Sequence, residues 1–114
     1  MKYRQTLAIE WRPDALQDLL ALNDEEPALA DAALAAIDDL AHRRQTGKAL
    51  GVRESTGDLS GMYRQRFDLP GRTPMRFRVI FEMLDDRRIV IWVIGRRARR
   101  SAYHTAQARK PSQT

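Results

Sequence analysis

The sequence predicts an α+β domain: two N-terminal helices packed on one face of a small, mainly antiparallel four-stranded sheet, in the order strand, helix, helix, strand, strand, strand, with a short C-terminal segment. Three observations lead there. Apolar side chains recur at three-to-four spacing between residues 13 and 46, they recur mostly at a spacing of two between residues 57 and 94, and the two patterns stay segregated along the chain. Runs of helix and runs of strand kept apart in this way favour helices layered on one antiparallel sheet. A chain of 114 residues is the size of one domain and buries roughly 65% of the surface its unfolded form exposes, enough for a real core.

The first strand is read from "KYRQTLAIEW", where Tyr3, Leu7, Ile9 and Trp11 alternate with mostly polar residues, the period of a half-buried strand. Pro13 then suits a first helical position, where a missing N–H costs nothing. Ala15, Leu16, Leu19, Leu20 and Leu22 make the apolar stripe of a short helix. "NDEE" breaks it, and an acid there with Pro27 near the first turn starts a second helix, whose stripe is Leu29, Ala33, Ala36, Ile37 and Leu40 and whose end is expected at Gly47. From Gly57 the period returns to two. "DLSGMYRQRFDL" places Leu59, Tyr63, Phe67 and Leu69 on one face and Met62, Arg64, Arg66 and Asp68 on the other; "PGRTP" is a break. "MRFRVIFEML" places Phe77, Val79 and Phe81 on one face and Arg76, Arg78, Ile80 and Glu82 on the other. "DDRR" reads as a hairpin turn, and "IVIWVI" is apolar on both faces, as a strand covered on both sides would be. A single domain over residues 1–109 is expected, with 110–114 as a frayed tail.

Composition excludes several classes. The chain has no cysteine, so neither a disulfide framework nor a thiolate metal site is available, which fits a reducing compartment. Two distant histidines, His42 and His104, supply no ligand spacing; no metal and no cofactor is expected. The longest apolar run, "IVIWVIG", is far short of the ~20 residues a membrane helix needs, and the alternating N-terminus does not resemble a signal peptide. A cytoplasmic protein without membrane association is the expectation.

Charge is distributed unevenly. Residues 1–59 hold 7 basic and 11 acidic side chains (net −4), whereas residues 60–114 hold 13 basic and 4 acidic (net +9). Seventeen of the 20 basic residues are arginines, whose planar fork grips phosphate in a bidentate way that an ammonium cannot. If residues 57–69 and 75–84 pair as a hairpin, Arg64, Arg66, Arg76 and Arg78 share the face opposite the helices. Arg96, Arg97, Arg99 and Arg100 then emerge beside them after Gly95, with Tyr103 and His104 close behind. One arginine on an exposed sheet is a solubility residue. Eight converging on one face, at a cross-strand cost of up to ~1 kcal/mol per like pair, point to a bound polyanion.

Those same segments carry a resemblance. "IEWRPDALQDLLAL", "DLSGMYRQRFDL", "RFRVIFEML" and "IVIWVIGRRARRSAY" resemble, in order and spacing over nearly the whole chain, the RelE/ParE superfamily of toxins of type II toxin–antitoxin systems, and the RelE branch in particular. The resemblance implies a RelE-like fold, a cognate antitoxin as partner, and cleavage of messenger RNA in the ribosomal A site by attack of the ribose 2′-hydroxyl on the adjacent phosphate. It assigns catalytic roles to Arg78 (contact to the scissile phosphate), Arg97 and Tyr103, and to Arg64 and Arg66, which stand where the family pattern has lysines. Arg76, Arg96, Arg99, Arg100 and His104 are left as substrate-binding. A guanidinium stabilises a phosphorane but is a poor proton shuttle, so the general base stays open among Tyr103, His104, Glu82 and positioning of the 2′-hydroxyl alone. Two alternatives come with the family: a ParE-like poison of DNA gyrase, and a RelE-like fold kept only for partner binding.

Overall fold

A computed structural model of the chain describes residues 5–53, 57–97 and 101–110. Eight elements succeed one another: β1 (Ala8–Trp11), α1 (Pro13–Glu25), α2 (Pro27–Ala41), β2 (Lys48–Arg53), β3 (Gly57–Phe67), β4 (Phe77–Met83), β5 (Arg88–Arg96) and α3 (Ser101–Arg109). The strands make one sheet in the order β1-β5-β4-β3-β2. β1 lies parallel to β5 and the other pairs are antiparallel. The α+β class and the helix pair are as expected, but the sheet has five strands rather than four; the short C-terminal segment is helical. Tyr3, Arg99, Arg100 and residues 111–114 of the expected tail lie outside the described residues. Among those described, no helix is long and apolar enough to cross a membrane.

Both N-terminal helices start on a proline preceded by an extended residue, Arg12 and Glu26. Glu26 alone separates them: its N–H donates to Leu22 O at 2.8 Å and its own carbonyl accepts from Leu29. α2 ends at Ala41, earlier than Gly47. The two helices bury Ala15, Leu22, Leu29, Ala33, Ile37 and Leu40 against Phe67, Phe77, Val79, Phe81, Ile89 and Ile91 of the sheet. Cross-strand partners Tyr63 and Phe81 stack with ring centroids 5.6 Å apart, and Phe67 and Phe77 at 5.4 Å. Such pairs contribute about 0.5–1.5 kcal/mol each beyond the area they bury.

The other face has its own smaller core. Leu59, Met62, Ile80, Val90, Trp92 and Val93 pack beneath Ala102 and Ala106 of α3, and the Arg12 guanidinium lies 4.2 Å over the Trp92 ring. Two irregularities decide which residues face it. Opposite Ala49–Gly51 of β2, β3 runs from Tyr63 to Leu59, two residues longer than its partner, and Gly61 inside that stretch takes a φ of 84°, a conformation with little cost only for glycine. Leu59, expected beside Tyr63 and Phe67, therefore lies under α3. In β5, Val93 pairs with Ile80 and Ile91 with Phe81, so Trp92 is an extra residue. Trp92 and Val93 both face α3, and Ile94 instead of Val93 returns to the helical core.

Candidate nucleic-acid interface and catalytic cluster

Strand register builds the site. On β4, Phe77, Val79 and Phe81 face the helices, which turns Arg78 and Ile80 to the opposite side, as the alternation predicts. Arg66 stands directly across from Arg78, Arg64 across from Ile80, and Lys48 of β2 across from Arg64. Gly95 of β5 is the other neighbour of Arg78. A Cβ on Gly95 would lie 3.2 Å from Ala102 Cβ and 3.4 Å from its Cα, so the glycine is what lets the first turn of α3 settle beside Arg78.

Arg78 is 5% exposed and, with Asp68, one of two buried charged residues among those described. Its Nη1 donates to Met75 O at 2.9 Å and to Phe77 O at 2.8 Å, and its Nε donates to the phenolic oxygen of Tyr103 at 3.2 Å. Three of the five guanidinium donors are thereby used to aim the group. The two on Nη2 have no partner among the described residues, which leaves them for a ligand. Burial pushes the Arg78 pKa below its ordinary value, the Tyr103 contact opposes that shift, and the nearby charges of Arg64 and Arg97 add to it. The site thus holds a partly desolvated cation among other cations, a place where an anion is stabilised more than it would be in water.

Arg97 is exposed. Its N–H donates to Arg76 O at 2.7 Å, extending the β4–β5 pairing by one residue. Arg64 is half-buried and Arg66 exposed; among the described residues none of Arg64, Arg66 and Arg97 has a carboxylate partner. His104 is exposed on the side of α3 turned away from Ala102 and Ala106. Glu82 lies four residues along β4 from Arg78, about 13 Å away.

Arg76 and Arg96 do not join this face. The extra residue in β5 reverses the parity of the positions beyond it, so Arg96 lies on the helical side, its guanidinium 4.9 Å from the Phe77 ring centroid and its Nη2 3.4 Å from Glu25 Oε1. Arg76 precedes β4 and is held by its own carboxylate: Nε and Nη2 donate to the two Asp68 oxygens at 2.8 and 2.9 Å, and the Arg76 and Leu69 N–H groups donate to them as well. That arrangement holds the Asp68 carboxyl well below the usual carboxylate range, chiefly through the Arg76 hydrogen bonds. Of the eight arginines expected on one face, Arg64, Arg66, Arg78 and Arg97 converge, Arg76 and Arg96 turn away, and Arg99 and Arg100 are outside the described residues.

The converging side chains form an open face. A concavity of about 160 Å³ adjoins it, lined by Thr46, Gly47, Lys48, Arg64 and Arg66. A larger concavity, about 580 Å³, opens between α2 and the β3–β4 connection, with Arg66 in its lining beside Ala28, Ala32, Ala35, Ala36, Asp31 and Asp39. Among the described residues no group of His, Asp or Glu side chains could hold a metal ion.

Two contributors escape sequence reasoning. Lys48 lies on a strand that the apolar pattern does not reveal, and only the register places its side chain in line with Arg64. Arg109 falls in the C-terminal segment, whose pattern leaves a short helix and irregular chain both open; it pairs with Asp18 of α1 through Nη1–Oδ2 at 2.7 Å and Nη2–Oδ1 at 3.0 Å, a partner no local pattern could reveal.

The structure is thus a small α+β protein whose sheet buries Arg78 and gathers Arg64, Arg66 and Arg97 near Tyr103, and comparison places it in a family. Residues 9–101 match the model of the ParE toxin of the type II toxin–antitoxin system, so the chain belongs to that family and is a toxin of the RelE/ParE superfamily. In fold it is similar to a chain of the toxin–antitoxin complex RelBE2 from Mycobacterium tuberculosis, with 23% identity, a TM-score of 0.50, and coverage of 82% of this chain and 94% of that one. No curated protein matches.

Proposed function

We propose that this toxin is a ribosome-dependent endoribonuclease that cleaves messenger RNA in the A site. The observation that carries the reading is the buried Arg78 guanidinium, aimed by two backbone carbonyls and the Tyr103 phenol, with Nη2 left over and Arg64, Arg66 and Arg97 around it. In the proposed reaction the ribose 2′-hydroxyl gives its proton to solvent as its oxygen attacks the adjacent phosphorus, the bond to the 5′-oxygen breaks and that oxygen takes up a proton, and a 2′,3′-cyclic phosphate and a 5′-hydroxyl result. Arg78 Nη2 and Arg97 neutralise the charge that builds on the phosphorane oxygens, at ~3 kcal/mol per well-aimed donor. Tyr103 accepts from Arg78, which leaves its own proton to donate toward the leaving oxygen or its ring to stack on a base. Arg64, Arg66 and Lys48 hold flanking phosphates. A cognate antitoxin is the partner, in line with the complex in which the RelBE2 chain was solved.

Primer extension on translated messenger RNA tests this. Cleavage within A-site codons that disappears with Arg78→Ala or Arg97→Ala is the expected result; intact message in growth-arrested cells overturns it.

The second reading within the superfamily is a poison of DNA gyrase. The matched residues 9–101 include β2 to β5, β1 from Ile9 on, and four cluster arginines but stop short of Tyr103, and a binding poison needs no reacting constellation. Arrested supercoiling with intact message, unchanged by Tyr103→Phe, would support that reading against the first.

A further inference from the structure

Little apolar surface fixes α3. It buries Ala102 and Ala106, and a nine-residue helix with so small a face is not stable by itself. Its C-terminal end is held by a polar clamp where β5 is irregular. β1 accompanies β5 only as far as Ile91, and the extra residue comes immediately after, leaving the Ile94 N–H and the Trp92 carbonyl at an edge that no strand covers. Asp18 Oδ2 accepts from Ile94 N at 3.0 Å, and Arg109 Nη1 donates to Trp92 O at 3.0 Å. The same two side chains close on each other at 2.7 and 3.0 Å, and each is about four-fifths buried, at 20% and 21% exposure. Asp14 Oδ2 adds a longer contact to Arg109 Nε at 3.7 Å. Because α1 covers one face of the sheet and α3 the other, the clamp reaches around the edge of β5 and ties the two helical layers together.

We infer that Asp18 and Arg109 are positioning residues for Tyr103: by fixing the far end of α3 to the β5 edge, they hold the phenol against the Arg78 guanidinium. This rests on the reading of the Arg78–Tyr103 cluster as the site of RNA cleavage. Arg109 lies six residues beyond Tyr103 on the same helix, about 9 Å along its axis. A tilt at one end moves the other, and a misplacement of ~1 Å at a reacting group costs about 10²-fold in rate. The clamp also has a direction. Asp18 serves a backbone donor and Arg109 a backbone acceptor, so exchanging the two charges sets a cation against the Ile94 N–H and an anion against the Trp92 carbonyl.

The test is a double-mutant cycle with an independent structural probe. Arg109→Ala is expected to lower the A-site cleavage rate about 10²-fold in the wild-type background and by no more than about 2-fold in a Tyr103→Phe background, where the phenol is already gone. It should also shift the ring resonances of isotope-labelled Tyr103 in the full-length protein. Arg109→Lys, which cannot serve both Asp18 oxygens and Trp92 O in one plane, should show the same pattern more weakly and stands in if the alanine variant does not fold. The Asp18→Arg/Arg109→Asp exchange should not restore the rate. Equal losses in both backgrounds, an unmoved Tyr103 resonance, or rescue by the exchange would each overturn the proposal. If the wild type cleaves no RNA, only the nuclease reading falls, and the Tyr103 resonance still decides whether the clamp positions the phenol.

Discussion

Arg66 and Arg78 stand directly opposite one another on neighbouring strands, and only Arg78 is buried. Like charges in that relation destabilise a sheet by up to ~1 kcal/mol. Replacing Arg66 with threonine should therefore raise the melting temperature, by up to about 4 °C, while weakening RNA binding. Inorganic phosphate should stabilise the wild type more than the variant. Calorimetry with and without phosphate reads both effects, and a variant less stable than wild type would show that the repulsion is already relieved within the fold.

Arg78 aims itself through two carbonyls, so its removal has two costs. Arg78→Ala leaves Met75 O and Phe77 O without their donor, a loss of about 1–3 kcal/mol, and removes the central cation, a loss of about 10²-fold or more in cleavage. Arg78→Lys keeps the charge but not the fork, and should recover stability better than rate. Urea denaturation beside cleavage kinetics separates the two quantities.

Gly95 makes a narrower prediction. An alanine there meets Ala102 Cβ at 3.2 Å, so α3 must shift by a few tenths of an ångström. The stability change should stay near ~1 kcal/mol, whereas cleavage should fall about tenfold because Tyr103 adjoins the point of contact. A melting curve and a rate from one preparation suffice.

Asp68 gives the fold a pH dependence of known sign. Its carboxyl is depressed in the folded protein, so the stability it confers is fully present above the unfolded value of about 4 and is lost as pH falls toward and through the lower folded value. Asp68→Asn should cost about 2–3 kcal/mol at neutral pH, and the difference from wild type should shrink steadily below pH ~4. Denaturation midpoints across that range measure it.

Lys48 is expected to hold a phosphate away from the reacting one. Lys48→Ala should reduce the slope of log affinity against log salt by about 0.7 for single-stranded RNA and leave the rate on bound substrate unchanged. A rate loss matching that of Arg78→Ala would give Lys48 a part in the reaction itself.

Alternation is a sound guide wherever a strand is regular. It places Arg78 opposite Phe77 and Val79 and puts Arg64 and Arg66 on the same side, and the stripes of α1 and α2 are equally plain. It fails at irregularities. Gly61 and Trp92 each disturb a ladder, and the parity of Leu59 and Arg96 reverses beyond them; a period of two contains no mark of where it will slip. β2 escapes notice because an edge strand such as "KALGVR" needs little apolar content. Arg109 finds Asp18 across most of the chain's length, and only the closed sheet brings them together.

The first strand pairs with the last. β1 has no neighbour until β5 is made, and β5 is also what seats α1, α3 and the residues around Arg78. Long-range closure of this kind delays the native state until the final segments have left the ribosome. In a chain so arranged the surface around Arg78 is completed only once translation has passed β5, so a partly made chain carries its arginines without the geometry that gathers them.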